Sequence, residues 1–211
     1  MVVGKDFDDF KKQLDNLNFN NKLKIDYAIQ KIPKDRVKPF GTADAVFQTM
    51  DQIEILKNSS FCVCNSDNLY STNSLKTIRE NAYENAVLAY DRDSLNFPKE
   101  RVSSFSILMT DDNFNLLNFI EKPTQEQVDQ NLDSNGKIRV SMNIFKFNGL
   151  QAFDFIKNCP INPIRNEKEL PSAIVNMINE NDLYMKGIPI AEHVPDLTSK
   201  ADINIIQKLI E

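Results

Sequence analysis

The feature that most constrains the fold of this chain is its alternation of short apolar runs with segments of helical period. Val2-Val3-Gly4 reads as the end of a buried strand, and residues 6–17 then place Phe7, Phe10, Leu14 and Leu17 on one helical face. Leu23, Ile25, Tyr27 and Ile29 alternate with Lys24, Asp26 and Ala28, a second strand with Gln30 at its end. After a loop over residues 31–40, which holds Pro33 and Pro39, Thr42 stands as N-cap of a helix over 43–56. Residues 61–64 form a short apolar run between polar turns, the pattern of a strand buried on both faces. A helix over 74–83, a strand over 86–90 and a hairpin over 105–120 turning at Asp111-Asp112-Asn113 follow. The chain continues with a strand over 138–147, helices over 150–158 and 170–179, a strand near 184–190 and a helix over 201–210. Strands that alternate with helices predict an α/β fold, a mostly parallel sheet covered by helices.

The length of 211 residues fits a single domain spanning 1–211. Thirty acidic against 25 basic residues give a net charge of −5, the wrong sign for a protein that grips a nucleic-acid backbone. No apolar run approaches the roughly 20 residues of a membrane-spanning helix. The start, Met-Val-Val-Gly-Lys-Asp, carries no basic region, apolar stretch or cleavage site of a secretory signal, so a cytoplasmic location is expected. The three cysteines agree: Cys62 and Cys64 alternate along a strand and, with the single histidine His193, match no zinc spacing, so buried, reduced thiols are expected.

Polar residues at the carboxyl end of a buried strand of an open α/β sheet are where ligands bind. Asn65-Ser66-Asp67-Asn68 follows such a strand, and Asp67 could hold Mg²⁺. Asp196, in Pro195-Asp196-Leu197-Thr198, is a second carboxylate between a strand and the last helix. The alternative for each is an N-terminal cap of the helix that follows.

Several segments, in order, resemble the sugar-1-phosphate nucleotidyltransferases. Gln30 is followed by Pro39-Phe40-Gly41-Thr42-Ala43-Asp44-Ala45-Val46, similar to P-L-G-T-A-x-A-V. Residues 61–69 resemble the strand ending in G-D, and Glu121-Lys122-Pro123 is the E-K-P. Arg165-Asn166-Glu167-Lys168-Glu169-Leu170 resembles R-G-E-x-E-[IL], and Val194-Pro195-Asp196-Leu197 resembles W-x-D-[IV]. Each motif is short and occurs by chance; five in order are far more specific.

The resemblance implies a Rossmann-like sheet of the nucleotide-diphospho-sugar transferase type. It implies Mg²⁺-dependent transfer of a nucleotidyl group from a nucleoside triphosphate to a sugar-1-phosphate, giving an NDP-sugar and pyrophosphate. A non-catalytic sugar-nucleotide-binding or regulatory module of the same fold is the alternative. Asp67 and Asp196 would be the metal ligands, Lys122 and Arg165 the cations that meet the sugar phosphate, and Gln30 the base contact. Gly41 and Thr42 would touch the nucleotide, Glu121 and Asn143 the sugar hydroxyls. Self-association into a homo-oligomer is left open.

The chain departs from the family at four places. It has no G-x-G-T-R-L-x-P-L-T segment, so the resemblance implies that about the first quarter of the domain is absent from this sequence, and with it a strand that lies near the middle of the family's sheet. An unpaired edge or a rearranged sheet is therefore expected. Ser66 replaces the glycine of N-G-D, Ser141-Met142-Asn143-Ile144 stands for N-x-G-I, and the loop over 31–38 is longer than the usual spacer after Gln30.

Overall fold

A computed structural model describes residues 1–4, 7–16, 24–180, 183–200 and 202–210. Asp6, Leu17, Leu23 and Ala201, at the ends of expected elements, lie outside them. Along the chain the elements are β1 Val2–Val3, α1 Phe7–Asn16, β2 Ala28–Ile29, α2 Thr42–Gln52, β3 Ser60–Cys64, α3 Thr72–Glu80, β4 Ala86–Asp91 and α4 Lys99–Val102. They continue with β5 Ile107–Thr110, β6 Leu116–Ile120, α5 Gln125–Gln130, β7 Arg139–Asn148, α6 Gly149–Lys157, β8 Ile161–Asn162, β9 Glu167–Lys168, α7 Leu170–Asn179, β10 Lys186–Ile190 and α8 Asp202–Ile210. A 3-10 turn, Glu54–Asn58, follows α2. The fold class is the expected one, α/β with helices flanking a sheet, but the large sheet is mixed rather than mostly parallel. No described helix is long and apolar enough to cross a membrane.

The chain forms two compact units. The first comprises Met1–Ser59 and Gly149–Met177. In it β1 pairs in parallel with β2, Val2 opposite Ala28 and Val3 opposite Ile29, and β8 pairs with β9 in a small antiparallel hairpin. Its helices pack through Ala43, Val46 and Met50 of α2, Ala152 and Ile156 of α6 and Ile174 of α7, all buried. Phe47 and Phe153 meet at 6.0 Å between ring centres.

The second unit comprises Ser60–Asn148 and Ile178–Glu211 and holds a six-stranded mixed sheet. Its order is β10-β4-β7-β5-β6, with β3 also paired to β7. β10 runs parallel to β4, while β7 is antiparallel to β3, β4 and β5, and β5 to β6. Every residue of β4 is buried, as its unbroken apolar run Ala86-Val87-Leu88-Ala89-Tyr90 requires of a strand covered on both faces. The hairpin turn at Asp111-Asp112-Asn113 forms where expected: the Asp111 carboxylate accepts from the amides of Asn113 and Asn115.

Three expectations are corrected. β3 is not buried on both faces. Its residues alternate between exposed and half-buried, and Cys62 and Cys64 are exposed while Cys159 is buried. The reason is that β7 is its one strand partner among the described residues. The two strands at the start of the chain form a sheet of their own. Thr42 does not cap α2: the N-cap is Gly41, and the Thr42 hydroxyl instead accepts from the Leu170 amide at the start of α7.

Candidate functional site

In the first unit the expected residues gather around the start of α2. Gly41 has φ +100°, a conformation open to glycine at little cost, and a Cβ there would collide with the Lys168 carbonyl. The close approach is held by the Lys168 amide donating to the Phe40 carbonyl at 2.8 Å. Thr42 is exposed and accepts from Leu170 at 2.9 Å, which leaves its O–H free to donate. Gln30 is half-buried, and its Nε2 donates to the Gly41 carbonyl at 3.1 Å and to Asp44 Oδ2 at 2.8 Å.

Arg165 sits in the turn between β8 and β9. Its backbone amide donates to Asn162 Oδ1, and its Nη1 is 2.5 Å from Glu169 Oε1, just beyond β9. Glu169 is steadied by Asn162 Nδ2 at 2.5 Å. The next residue, Asn166, is left-handed, and its carbonyl accepts from Arg36 Nη2 at 2.6 Å, so the long loop after Gln30 is anchored to the Arg165 turn.

In the second unit the loops that carry Asp67 and Asp196 are joined through their backbones. The Leu69 amide donates to the Pro195 carbonyl and the Leu197 amide to the Asp67 carbonyl, each at 2.8 Å, and Asn68 and Asp196 form an antiparallel bridge. Neither aspartate caps a helix: α3 is capped by Ser71, and α8 starts at Asp202. The same assembly includes Asn143. There β7 bulges away from β4, between the pairs Val87–Phe145 and Ala89–Ser141, and Asn143 takes φ 55°. The Met142 carbonyl at the bulge accepts from Tyr70 Oη at 2.6 Å and Asn68 Nδ2 at 3.0 Å. Burial pushes the Tyr70 phenol well above its ordinary pKa, so it stays a proton donor.

The two carboxylates differ. Asp67 is exposed, and no hydrogen bond to its side chain is formed among the described residues. The Asp196 side chain is 13% exposed; Arg101 Nη2 lies 2.9 Å from its Oδ2 and the Thr198 hydroxyl donates to its Oδ1 at 2.6 Å. Arg101 also reaches Asp202 Oδ1 at 3.3 Å and stacks 4.5 Å from the Phe97 ring centre. Among the described residues no group of three or more His, Cys, Asp or Glu could hold a metal ion.

Glu121 and Lys122 follow β6, whose last residue Ile120 is level with Ile107 of β5 and, through it, with Val140 of β7. Both are exposed, and Lys122 has φ 47°, a conformation that costs energy for a residue with a Cβ. The capping box of α5, Thr124 with Gln127, begins directly after Pro123 and fixes the turn from the far side.

The structure therefore groups Gln30, Gly41 and Thr42, with Arg165 on the neighbouring hairpin, in one unit, and Asp67, Asn143 and Asp196 in the other with Glu121 and Lys122 on the same sheet. Sequence reasoning missed Asp44, Gln48, Asn68, Tyr70 and Arg101, which hold these residues in place. Asp44 and Gln48 at i, i+4 on α2 were readable as one helical face; Arg101, 95 residues from Asp196, gave no local signal.

The family model described as nucleotidyl transferase matches residues 3–189. Among curated proteins, a glucose-1-phosphate adenylyltransferase of Paramagnetospirillum magneticum is 29% identical over 128 residues, 58% of this chain and 28% of that enzyme. One from Photobacterium profundum is 30% identical over 84 residues, 40% of this chain and 20% of that enzyme. The glucose-1-phosphate adenylyltransferase 1 of Vibrio cholerae is 29% identical over 84 residues, with the same coverage. The matched regions thus span 20–28% of the length of these relatives. The family match runs from β1 through β10 and takes in eight of the nine expected site residues, all but Asp196: this chain belongs to the nucleotidyl transferase family.

Proposed function

We propose that this chain serves Mg²⁺-dependent nucleotidyl transfer from a nucleoside triphosphate to a sugar-1-phosphate, with ATP and glucose-1-phosphate the first pair to test because the relatives' names give glucose-1-phosphate and an adenylyl group. The observation that supports it most is the backbone-joined pair of loops bearing Asp67 and Asp196. In the reaction an oxygen of the sugar phosphate attacks the α-phosphorus in line, the bond from that phosphorus to the oxygen bridging to the β-phosphate breaks, and pyrophosphate leaves with the electron pair. Such transfer needs positioning and charge neutralisation more than covalent chemistry from the protein.

The donor set suits Mg²⁺: hard carboxylate oxygens, two in number, for an ion that takes its other ligands from water and phosphate. Asp67 offers its carboxylate outright, and Asp196 would exchange Arg101 for the ion. Bound there, Mg²⁺ would neutralise phosphate oxygens. Lys122 would meet the sugar phosphate as a point charge. Arg165, its guanidinium aligned by Glu169, would offer a phosphate a planar fork. Glu121 and the Asn143 bulge would contact sugar hydroxyls, and Gln30, Gly41 and Thr42 the nucleoside.

One observation favours a second reading, a sugar-nucleotide-binding module: the Asp196 carboxylate is committed to Arg101 and Thr198. Pyrophosphate release by the chain, across nucleoside triphosphates crossed with sugar-1-phosphates, separates the two. Release from one pair supports transfer, and Asp67→Asn should then lower kcat on the order of 10²–10³-fold, the loss typical of removing a transition-state charge contact. Nucleotide binding without release supports the module; turnover that survives Asp67→Asn removes the metal role.

A further inference from the structure

We propose that Asp44 is a positioning residue that locks the Gln30 amide with its carbonyl oxygen outward, so that Gln30 can only accept a hydrogen bond from a nucleotide base. The proposal rests on the reading of Gln30 as the base contact. Both acceptors beside Gln30 lie on the Nε2 side: the Gly41 carbonyl at 3.1 Å and Asp44 Oδ2 at 2.8 Å. An amide has two N–H donors, and both are used, so Oε1 is what remains to a ligand. A flipped amide would set its oxygen against a carboxylate and a carbonyl, a doubly repulsive arrangement.

Asp44 is itself fixed. It is buried, 9% exposed, and Gln48 Nε2 donates to the same Oδ2 at 2.8 Å. Gln48 has no freedom to turn either, because its Oε1 accepts from the Lys31 amide at 2.8 Å and its Nε2 donates to the Lys31 carbonyl at 3.0 Å. Orientation thus passes from the Lys31 backbone through Gln48 and Asp44 to Gln30. The buried carboxylate sits in the first turn of α2, where the helix N-terminus favours negative charge, and here it fixes which atom of Gln30 faces outward.

The test is nucleotide binding by the full chain, with Kd measured for ATP, GTP, CTP and UTP in wild type, Gln30→Ala, Asp44→Ala and Asp44→Asn. In Asp44→Ala the Gln30 amide can turn and offer either face, so the spread of Kd values among the four nucleotides should shrink about tenfold, the change that 1.4 kcal/mol corresponds to. Asp44→Asn, whose Oδ1 can still accept from both glutamines, should keep the wild-type spread. A residue that only supports the fold would change stability and leave the ratios alone. If Gln30→Ala collapses the spread and Asp44→Ala does not, Asp44 has no orienting role and the proposal is overturned. If Gln30→Ala leaves the spread intact, or wild type binds none of the four, the base reading of Gln30 has failed and the proposal falls with it. Should Asp44→Ala not fold, Asp44→Ser, too short to reach Gln30, takes its place.

Discussion

Arg139 and Asp133 show how a single pair can set the stability of the second unit. Their side chains are 8% and 3% exposed, with Nε 2.7 Å from Oδ2. Asp133 Oδ1 also accepts from the amides of Asn135 and Lys137, which closes the turn leading into β7. Desolvation opposes ionisation of Asp133, but the Lys137 amide, the Arg139 guanidinium and the Asn135 amide outweigh it and hold its pKa below the ordinary carboxylate value. A carboxylate with a lowered folded pKa stabilises the protein above its unfolded pKa of about 3.9, and that stabilisation is lost as pH falls through the folded value. Asp133→Ala strands a buried guanidinium, and urea unfolding at pH 7 should show a loss of about 3–5 kcal/mol. The gap between wild type and variant should narrow as pH is lowered below about 4. A gap independent of pH would mean that the carboxylate's charge is not what matters.

At the scale of elements, the free edge of β2 is closed by side chains. The Ala28 amide donates to the Met1 carbonyl, so Ala28 faces the β1 side, and alternation turns Ile29 and Lys31 the other way. On that side Gln52 accepts from the Ile29 amide and donates to the Ile29 carbonyl, both at 3.0 Å, and Gln48 does the same for Lys31. Two glutamines one helical turn apart on α2 thus stand in for a neighbouring strand and blunt an edge open to unwanted pairing. Gln52→Ala should cost about 1 kcal/mol in urea unfolding, the net worth of a hydrogen bond, and Gln52→Glu should not restore it, since a carboxylate cannot donate to the Ile29 carbonyl. Recovery by Glu would contradict the two-way pairing. The helices that frame these devices were legible because their apolar period needs no partner: residues 170–179 are α7 to the residue, and Phe7, Phe10 and Leu14 lie within α1. What the pattern could not show was what depends on neighbours. Residues 61–64 are apolar enough for a fully covered strand, yet coverage is a property of the strands beside it. The two-residue strands β8 and β9, Ile-Asn and Glu-Lys, are too short to show an alternation. At the site, Asp67 and Asp196 stood out through their motifs, while the grip of Arg101 on Asp196 is a long-range contact with no trace in local sequence.

For the whole molecule, the two sheets differ sharply in how their hydrogen bonds are shielded. β4 lies between β10 and β7 with every residue buried, and Ile78, Ile107, Val140 and Ile144 pack in the same core. β1 and β2 contribute two residues each, pair with each other, and expose Val2 and Ile29. Opening free energy follows burial and the number of strands that must separate, so β2 can open without disturbing β4. Amide hydrogen exchange should therefore rank Leu88 and Tyr90 among the slowest and Ala28 and Ile29 among the fast, with protection factors apart by on the order of 10³, roughly 4 kcal/mol. The contrast carries over to ligands. If Gln30, which directly follows β2, is ordered by a nucleotide base, saturating nucleotide should slow exchange at Ala28 and Ile29, because a ligand stabilises only the states that bind it. Unchanged exchange at Ala28 and Ile29 would mean that no base orders Gln30. Slowing confined to β4 would place the nucleotide in the six-stranded unit and away from Gln30.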